Sequence, residues 1–232
     1  MTDYIALLDW RRSVAKLYAW VRESGLDAAD TCHRFRVERD HLFRSHPQSP
    51  LSDEQKARFS GLSYYPYDPA FRFVLPVDGA VKQEVFEIEL QDDGRLRSQR
   101  FGTIHFMVAG QEVSISLFWI LGYGGGIFLP FRDATSGRET YSGGRYLLDT
   151  IKHADLGQAG SRLVIDFNYA YNPSCAYNEP PSLAARAGRE PMVWTCPLPP
   201  MENWLQVPVR AGEKQPTGEW VAHEEPPDQA AE

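Results

Sequence analysis

Apolar residues recur at three- and four-residue intervals at the start of the chain and at two-residue intervals from about Phe71 onward. Helices are therefore expected first and strands after them. Leu7, Trp10, Val14, Leu17, Tyr18 and Val21 form one stripe, with Arg11, Arg12, Lys16 and Arg22 between them, and the pattern stops near Gly25. So wide an aromatic face must cover something, either the rest of the chain or a partner subunit. A second helix is expected through "DTCHRFRVERDHLFRS", ending before Pro47. A third opens at Ser52, where "SDEQ" has the capping-box form, and is expected to end at Gly61.

Beyond Phe71, "FRFVLPV" and "VFEIEL" alternate apolar and polar residues as half-buried strands do. "DDG" turns the chain toward "FGTIHFMV", and "AGQ" turns it again into "EVSISLFWI". "GIFLPF", "GRYLLD" and "RLVIDF" continue the series. Seven or eight strands with short connections predict an α+β, mainly β fold: an antiparallel meander or barrel-like sheet with N-terminal helices packed on it. The expected organisation is a helical segment over 1–62, a β-rich domain over 63–214 and an acidic, flexible tail over 215–232. After Gly212 the chain carries six acids and one lysine.

At 232 residues, 43% of them hydrophobic and 12% aromatic, the chain can bury a sizeable core. A net charge of −7 argues against nucleic-acid binding, which needs a concentrated basic face. Arg34, Arg36 and Arg39 alternate with Glu38 and Asp40, which reads as a solvated helix face. No apolar run reaches the ~20 residues of a membrane span, and "MTDYIALLDWRRSVAKLYAWV" lacks the form of a secretory leader. A cytoplasmic setting is expected, with Cys32, Cys175 and Cys196 as free thiols. Without CxxC or HExxH spacing, a metal site has little support.

The chemistry concentrates in "DFNYAYNPSCAYN", where 13 residues hold an aspartate, three asparagines, three tyrosines and a cysteine. Asp166 ends the strand "RLVIDF", with Val164 on its face and Leu163 and Ile165 on the other. Arg145 lies in a strand with Leu147 and Leu148, so it must reach solvent, pair with a carboxylate or hold an anionic ligand. Two readings stay open: an Arg145–Asp166 pair, or a site in which Arg145 anchors an anion and Asp166 handles a proton. Asn168, Tyr171 and Asn172, with Tyr141, would orient the ligand, although such tyrosines are more often packing residues. Asp166 and Cys175 are the catalytic candidates. Cys175 lacks a recognisable spacing to His105 or His153, so an inert thiol competes with a nucleophile. A redox pair with Cys196 is a further reading, which a cytoplasmic setting weakens. "GYGGGIFLPF" is followed by a strand pattern and not by a helix, so a turn or bulge is expected there and not a phosphate loop.

"SPLSDEQKARFSGLSYYPYDPAFRF", "FRDATSGRETYSGGRYL", "IDFNYAYNPSCAY" and "CPLPPMENWLQVPVRAGEK" together resemble the domain-of-unknown-function 1684 family, from about Arg39 to Lys214. The matching positions are Gly144 to Leu147, Asp166 to Asn168, Ala170 to Pro173, Cys175, Cys196 to Pro200, Asn203 and Ala211 to Glu213. The resemblance supplies no activity, and it leaves the cofactor unknown. It also implies that the two cysteines normally stand closer together, so the longer "NEPPSLAARAGREPMVW" leaves open whether they meet. From the residues themselves two functions stay open: a small-molecule ligand pocket at the mouth of the β-barrel, anionic ligands included, with binding favoured over catalysis, or an interaction protein that forms a homodimer through its N-terminal aromatic helix.

Overall fold

The computed structural model describes residues 3–90 and 94–222. Asp3 caps the first helix, α1 (Tyr4–Glu23), by accepting from the amides of Ile5 and Ala6, both at 3.0 Å. Asp27 caps α2 (Ala28–Ser45). Ser52 and Gln55 make the reciprocal capping box of α3 (Asp53–Lys56), which is shorter than its pattern suggests. There Arg58 N–H turns to the Gln55 carbonyl and Phe59 N–H to that of Lys56, at 3.0 and 3.2 Å. These tight bonds end the helix and swing Phe59 into a cluster with Phe43, Leu51, Tyr177 and Trp220.

Eight strands follow among the described residues: β1 (Arg72–Leu75), β2 (Val85–Leu90), β3 (Gly94–Val108), β4 (Gln111–Ile120), β5 (Ile127–Phe131), β6 (Arg145–Asp149), β7 (Gln158–Ala159) and β8 (Arg162–Asp166). Strands β2 to β6 form an antiparallel meander in chain order, and β1, β8 and β7 form a second antiparallel sheet. The protein is thus α+β and mainly β. The two sheets meet through Asp78 and Thr103, which exchange backbone bonds of 2.8 and 2.9 Å. Between them lie Ile104 and Phe106 of β3, Leu117 of β4, Phe131 of β5, Leu147 of β6, Ile165 of β8 and Phe167, all buried. A short helix, α4 (Pro181–Arg186), lies in the loop between Cys175 and Cys196.

The sheet is not closed into a barrel. Strands β6 and β8, whose neighbouring would be needed for an Arg145–Asp166 pair, belong to different sheets. The glycine cluster before Ile127 is the turn between β4 and β5. The aromatic stripe of α1 is spent within the chain: Val14, Leu17, Tyr18, Trp20 and Val21 pack with Phe35, Leu156 and Tyr169, while Trp10 joins the Phe43 cluster. The helical segment and the strands therefore share cores. Of the expected tail, Trp220 and Val221 are buried, and residues 223–232 lie outside the described residues, as do residues 91–93 at the "DDG" turn.

Candidate functional site

The sequence-predicted residues fall into four environments, the first two of which touch at Glu213. Arg145 is 0% exposed and fans its guanidinium over protein acceptors alone. Nη2 donates to Asp133 Oδ2 at 2.7 Å and to the Val209 carbonyl at 2.8 Å. Nη1 donates to the carbonyls of Ala211 and Glu213. This arginine ties the 209–213 segment to β6, and Asp133, not Asp166, is its carboxylate. The turn residue Asp133 carries that role because its Oδ1 is already fixed by Thr135 N–H and Oγ1, at 2.8 and 2.6 Å.

Asn172 and its neighbours belong to a network around Glu213, which is 1% exposed. Glu213 accepts from Arg39 Nε at 2.8 Å, Asn172 N–H at 2.7 Å and the Tyr177 hydroxyl at 2.5 Å. Asn172 Nδ2 donates to the Lys214 carbonyl at 2.9 Å. Tyr171 packs edge-on to Tyr146 and lies under the Arg39 guanidinium, 5.1 Å from its ring centre. Arg39 is consequently not part of a solvated helix face. Gly212 explains the "AGE" signature: its φ is +76°, and a Cβ there would meet the Ala170 and Phe167 carbonyls at 2.5 and 2.6 Å. The block that sequence reading left open between a ligand site and an internal network is here mostly a set of internal bonds.

Asp166 is the exception. The residue is 2% exposed and lines a cleft of about 530 Å³. The end of α1 (Arg22, Ser24), the start of α2 (Thr31), Tyr67, Arg72 of β1, Gln158 of β7 and Tyr169 form its walls. Register sets Arg72 directly across from Asp166 on β1. Asn168 donates to Asp166 Oδ1 through its amide at 3.0 Å and its side chain at 2.8 Å. Asn168 is itself locked, accepting from Asp68 N–H at 2.9 Å and donating to the Asp68 carbonyl at 2.8 Å. Asp166 Oδ2 is 3.8 Å from Arg72 Nε, beyond hydrogen-bond range. Burial pushes the Asp166 carboxyl above its ordinary range, against the Asn168 bonds and the Arg72 charge. Burial also lifts Tyr67 to about 12, with the Asp166 charge adding to it. Sequence reading missed Arg72, Tyr67 and Gln158, which only the β1–β8–β7 pairing brings to Asp166.

Cys175 meets neither His105 nor His153 among its hydrogen-bond partners, which are a tyrosine and a cysteine. Tyr141 donates to its Sγ at 3.4 Å, and its own amide donates to Cys196 Sγ at 3.3 Å. The long intervening loop closes back on itself: Glu179 receives Arg189 and the Met192 amide, so its ends stay together. No group of three or more metal-ligating side chains occurs among the described residues.

The model of the family described as "Protein of unknown function (DUF1684)" matches residues 57–214. The chain belongs to this family. A solution NMR structure of the uncharacterized protein from gene locus rrnAC0354 of Haloarcula marismortui is 33% identical to this chain. The match covers 80% of this chain and 92% of that one, with a TM-score of 0.53. No curated protein matches. No helix among the described residues is long and apolar enough to cross a membrane. The family's characteristic positions acquire physical roles here. Asn203 is fully buried, its side chain accepts from Ser116 N–H at 2.9 Å, and it donates to the Ser116 and Pro130 carbonyls at 2.9 and 2.8 Å. It thereby substitutes for the ladder bonds that Pro130, lacking an N–H, cannot make between β4 and β5.

Proposed function

We propose that the protein binds a small polar molecule in the Asp166 cleft, with Asp166 as the deep polar anchor and Arg72 at the rim. The observation that carries this reading is the buried carboxylate on an open cleft, held by Asn168 on one oxygen and lacking a close donor on the other. A buried carboxylate whose second oxygen meets only a long ion pair to a half-exposed arginine is what a functional site retains. The lining fits a compact ligand with a hydroxyl or amine toward Asp166 and an anionic group toward Arg72, whose side chain is 45% exposed. Tyr67 and Tyr169 supply flat apolar walls.

The reading is of binding and not of catalysis, with Asp166 able to serve as an acid if the bound molecule presents a leaving group. Three unpaired cysteines fit a cytoplasmic, thiol-reducing setting. The packing of the α1 aromatic face on the chain's own core favours the cleft over homodimerisation through that face. A calorimetric or thermal-shift screen of small hydroxy acids, amino acids and phosphorylated metabolites tests the proposal. A ligand that stabilises the wild-type protein should lose about tenfold to a hundredfold in affinity with Asp166→Ala, the equivalent of one hydrogen bond to a charged group. Equal affinity for both proteins would overturn the assignment.

A further inference from the structure

Cys175 and Cys196 stand together outside the Asp166 cleft. Cys175 opens from the short helical turn Ser174–Tyr177, directly after Pro173, and Cys196 begins the "CPLPP" segment. Both are half-buried. The Cys175 amide adds a bond to Cys196 Sγ at 3.3 Å, and the Tyr141 hydroxyl caps Cys175 Sγ at 3.4 Å. With Cys196 Sγ seated on the backbone amide of Cys175, the two side chains lie within one residue of each other, the proximity a disulfide requires. Both thiols are free in this structure.

We propose that Cys175 and Cys196 form a reversible dithiol–disulfide pair, with Cys196 as the attacking thiolate and Cys175 as the resolving thiol, oxidised by a low-molecular-weight disulfide. The two cysteines are unlike in the way this division needs. The hydrogen bond from the Cys175 thiol, with the Cys175 amide and the charge of Lys152 behind it, brings Cys196 down to about 7 against the effect of burial. The same thiol–thiol bond, together with burial, holds Cys175 protonated. Cys32 is the internal contrast: it is fully buried, and burial lifts its thiol to about 11.

In the first step Cys196 S⁻ attacks one sulfur of R–S–S–R, forming a Cys196–S–S–R mixed disulfide and releasing R–S⁻. Cys175 then gives its proton to solvent and its sulfur attacks Cys196 Sγ, expelling the second R–S⁻. The sum is one protein dithiol plus R–S–S–R giving one protein disulfide plus two R–SH, and a reduced dithiol reagent reverses it. Oxidation would staple the start of the 196–204 segment, which delivers Asn203 to β4 and β5, onto the block after Asn172. In a reducing compartment such a pair is transient and redox-sensing, not structural.

Glutathione disulfide is the probe. After exposure, intact-mass analysis of the wild-type protein should show loss of two hydrogens, with peptide mapping assigning the link to Cys175 and Cys196 and finding Cys32 unmodified. Cys175→Ser should instead accumulate a stable mixed disulfide on Cys196, whereas Cys196→Ser should react about tenfold more slowly or less. Wild-type protein that stays reduced, or a Cys196→Ser protein that reacts as fast as Cys175→Ser, overturns the proposal. If either variant misfolds, the wild-type protein alone decides. Its Cys196 alkylation rate should rise through a midpoint near pH 7, and a rise only near the ordinary thiol value of about 8.5 would refute the thiolate assignment.

Discussion

Replacing Arg145 tests whether the buried strand arginine is architecture or a ligand anchor. Arg145→Leu removes donors from Asp133 and from the carbonyls of Val209, Ala211 and Glu213 at once. Breaking a buried ion pair by deleting one partner costs about 3–5 kcal/mol. Each orphaned carbonyl adds about 1 kcal/mol or more. Asp133 keeps three donors on Oδ1, from Thr135 N–H and Oγ1 and from Val209 N–H, so its own penalty belongs at the lower end. The sum, about 5 kcal/mol or more, rivals the whole stability of an ordinary domain, and Arg145→Leu should be largely unfolded at 25 °C.

The readable variant is Arg145→Lys, which keeps the charge but cannot span four acceptors with a point ammonium. It should lose about 2–3 kcal/mol, a fall of about 1 M in the urea midpoint followed by tryptophan fluorescence. Pairing Arg145→Met with Asp133→Asn should recover part of the loss of Arg145→Met alone, since the carboxylate is then no longer left uncompensated. An Arg145→Lys protein within about 0.5 kcal/mol of wild type would refute the reasoning, because an anchor facing a ligand could be changed without a stability cost.

Other outcomes follow from the same geometry. Burial raises Asp166, so the folded state holds its proton to higher pH than the unfolded chain; stability is lost as pH rises from the unfolded value of about 4 through the folded one. Asp166→Asn should therefore be more stable than wild type at pH 7, with the advantage shrinking toward pH 4 in paired urea titrations; a pH-independent difference would contradict this. Asn203→Ala leaves the Ser116 amide and two carbonyls unpaired and should cost about 2–4 kcal/mol by the same assay. Gly212→Ala drives a methyl into two backbone carbonyls and should lower the melting temperature by several degrees, whereas Gly110→Ala, with open space around it, should cost only its backbone strain.

How far the sequence could be read depended on the range of each interaction. The stripe of α1, the Ser52 capping box and the chain-order meander are local patterns, and all were legible. The facing of Val164 and Asp166 away from Ile165 followed from strand alternation alone. What remained hidden was pairing at long separation. Arg145 and Asp166 look like natural partners on paper, but β6 and β8 lie in different sheets, and the carboxylate that serves Arg145 sits in a turn only 12 residues away. Glu213 gathers Arg39, Asn172 and Tyr177 from sequence separations as large as 174 residues, which no periodicity encodes. Arg72 reached Asp166 only through sheet register.

The most direct test of the cleft is a nitrogen-15 NMR titration of the wild-type protein with pooled small hydroxy acids, amino acids and phosphorylated metabolites. The account predicts saturable amide shifts confined to the neighbourhood of Arg72, Leu156 to Gln158, Asp166 and Tyr169. Shifts that gather elsewhere, or a spectrum that no pool perturbs, would contradict it.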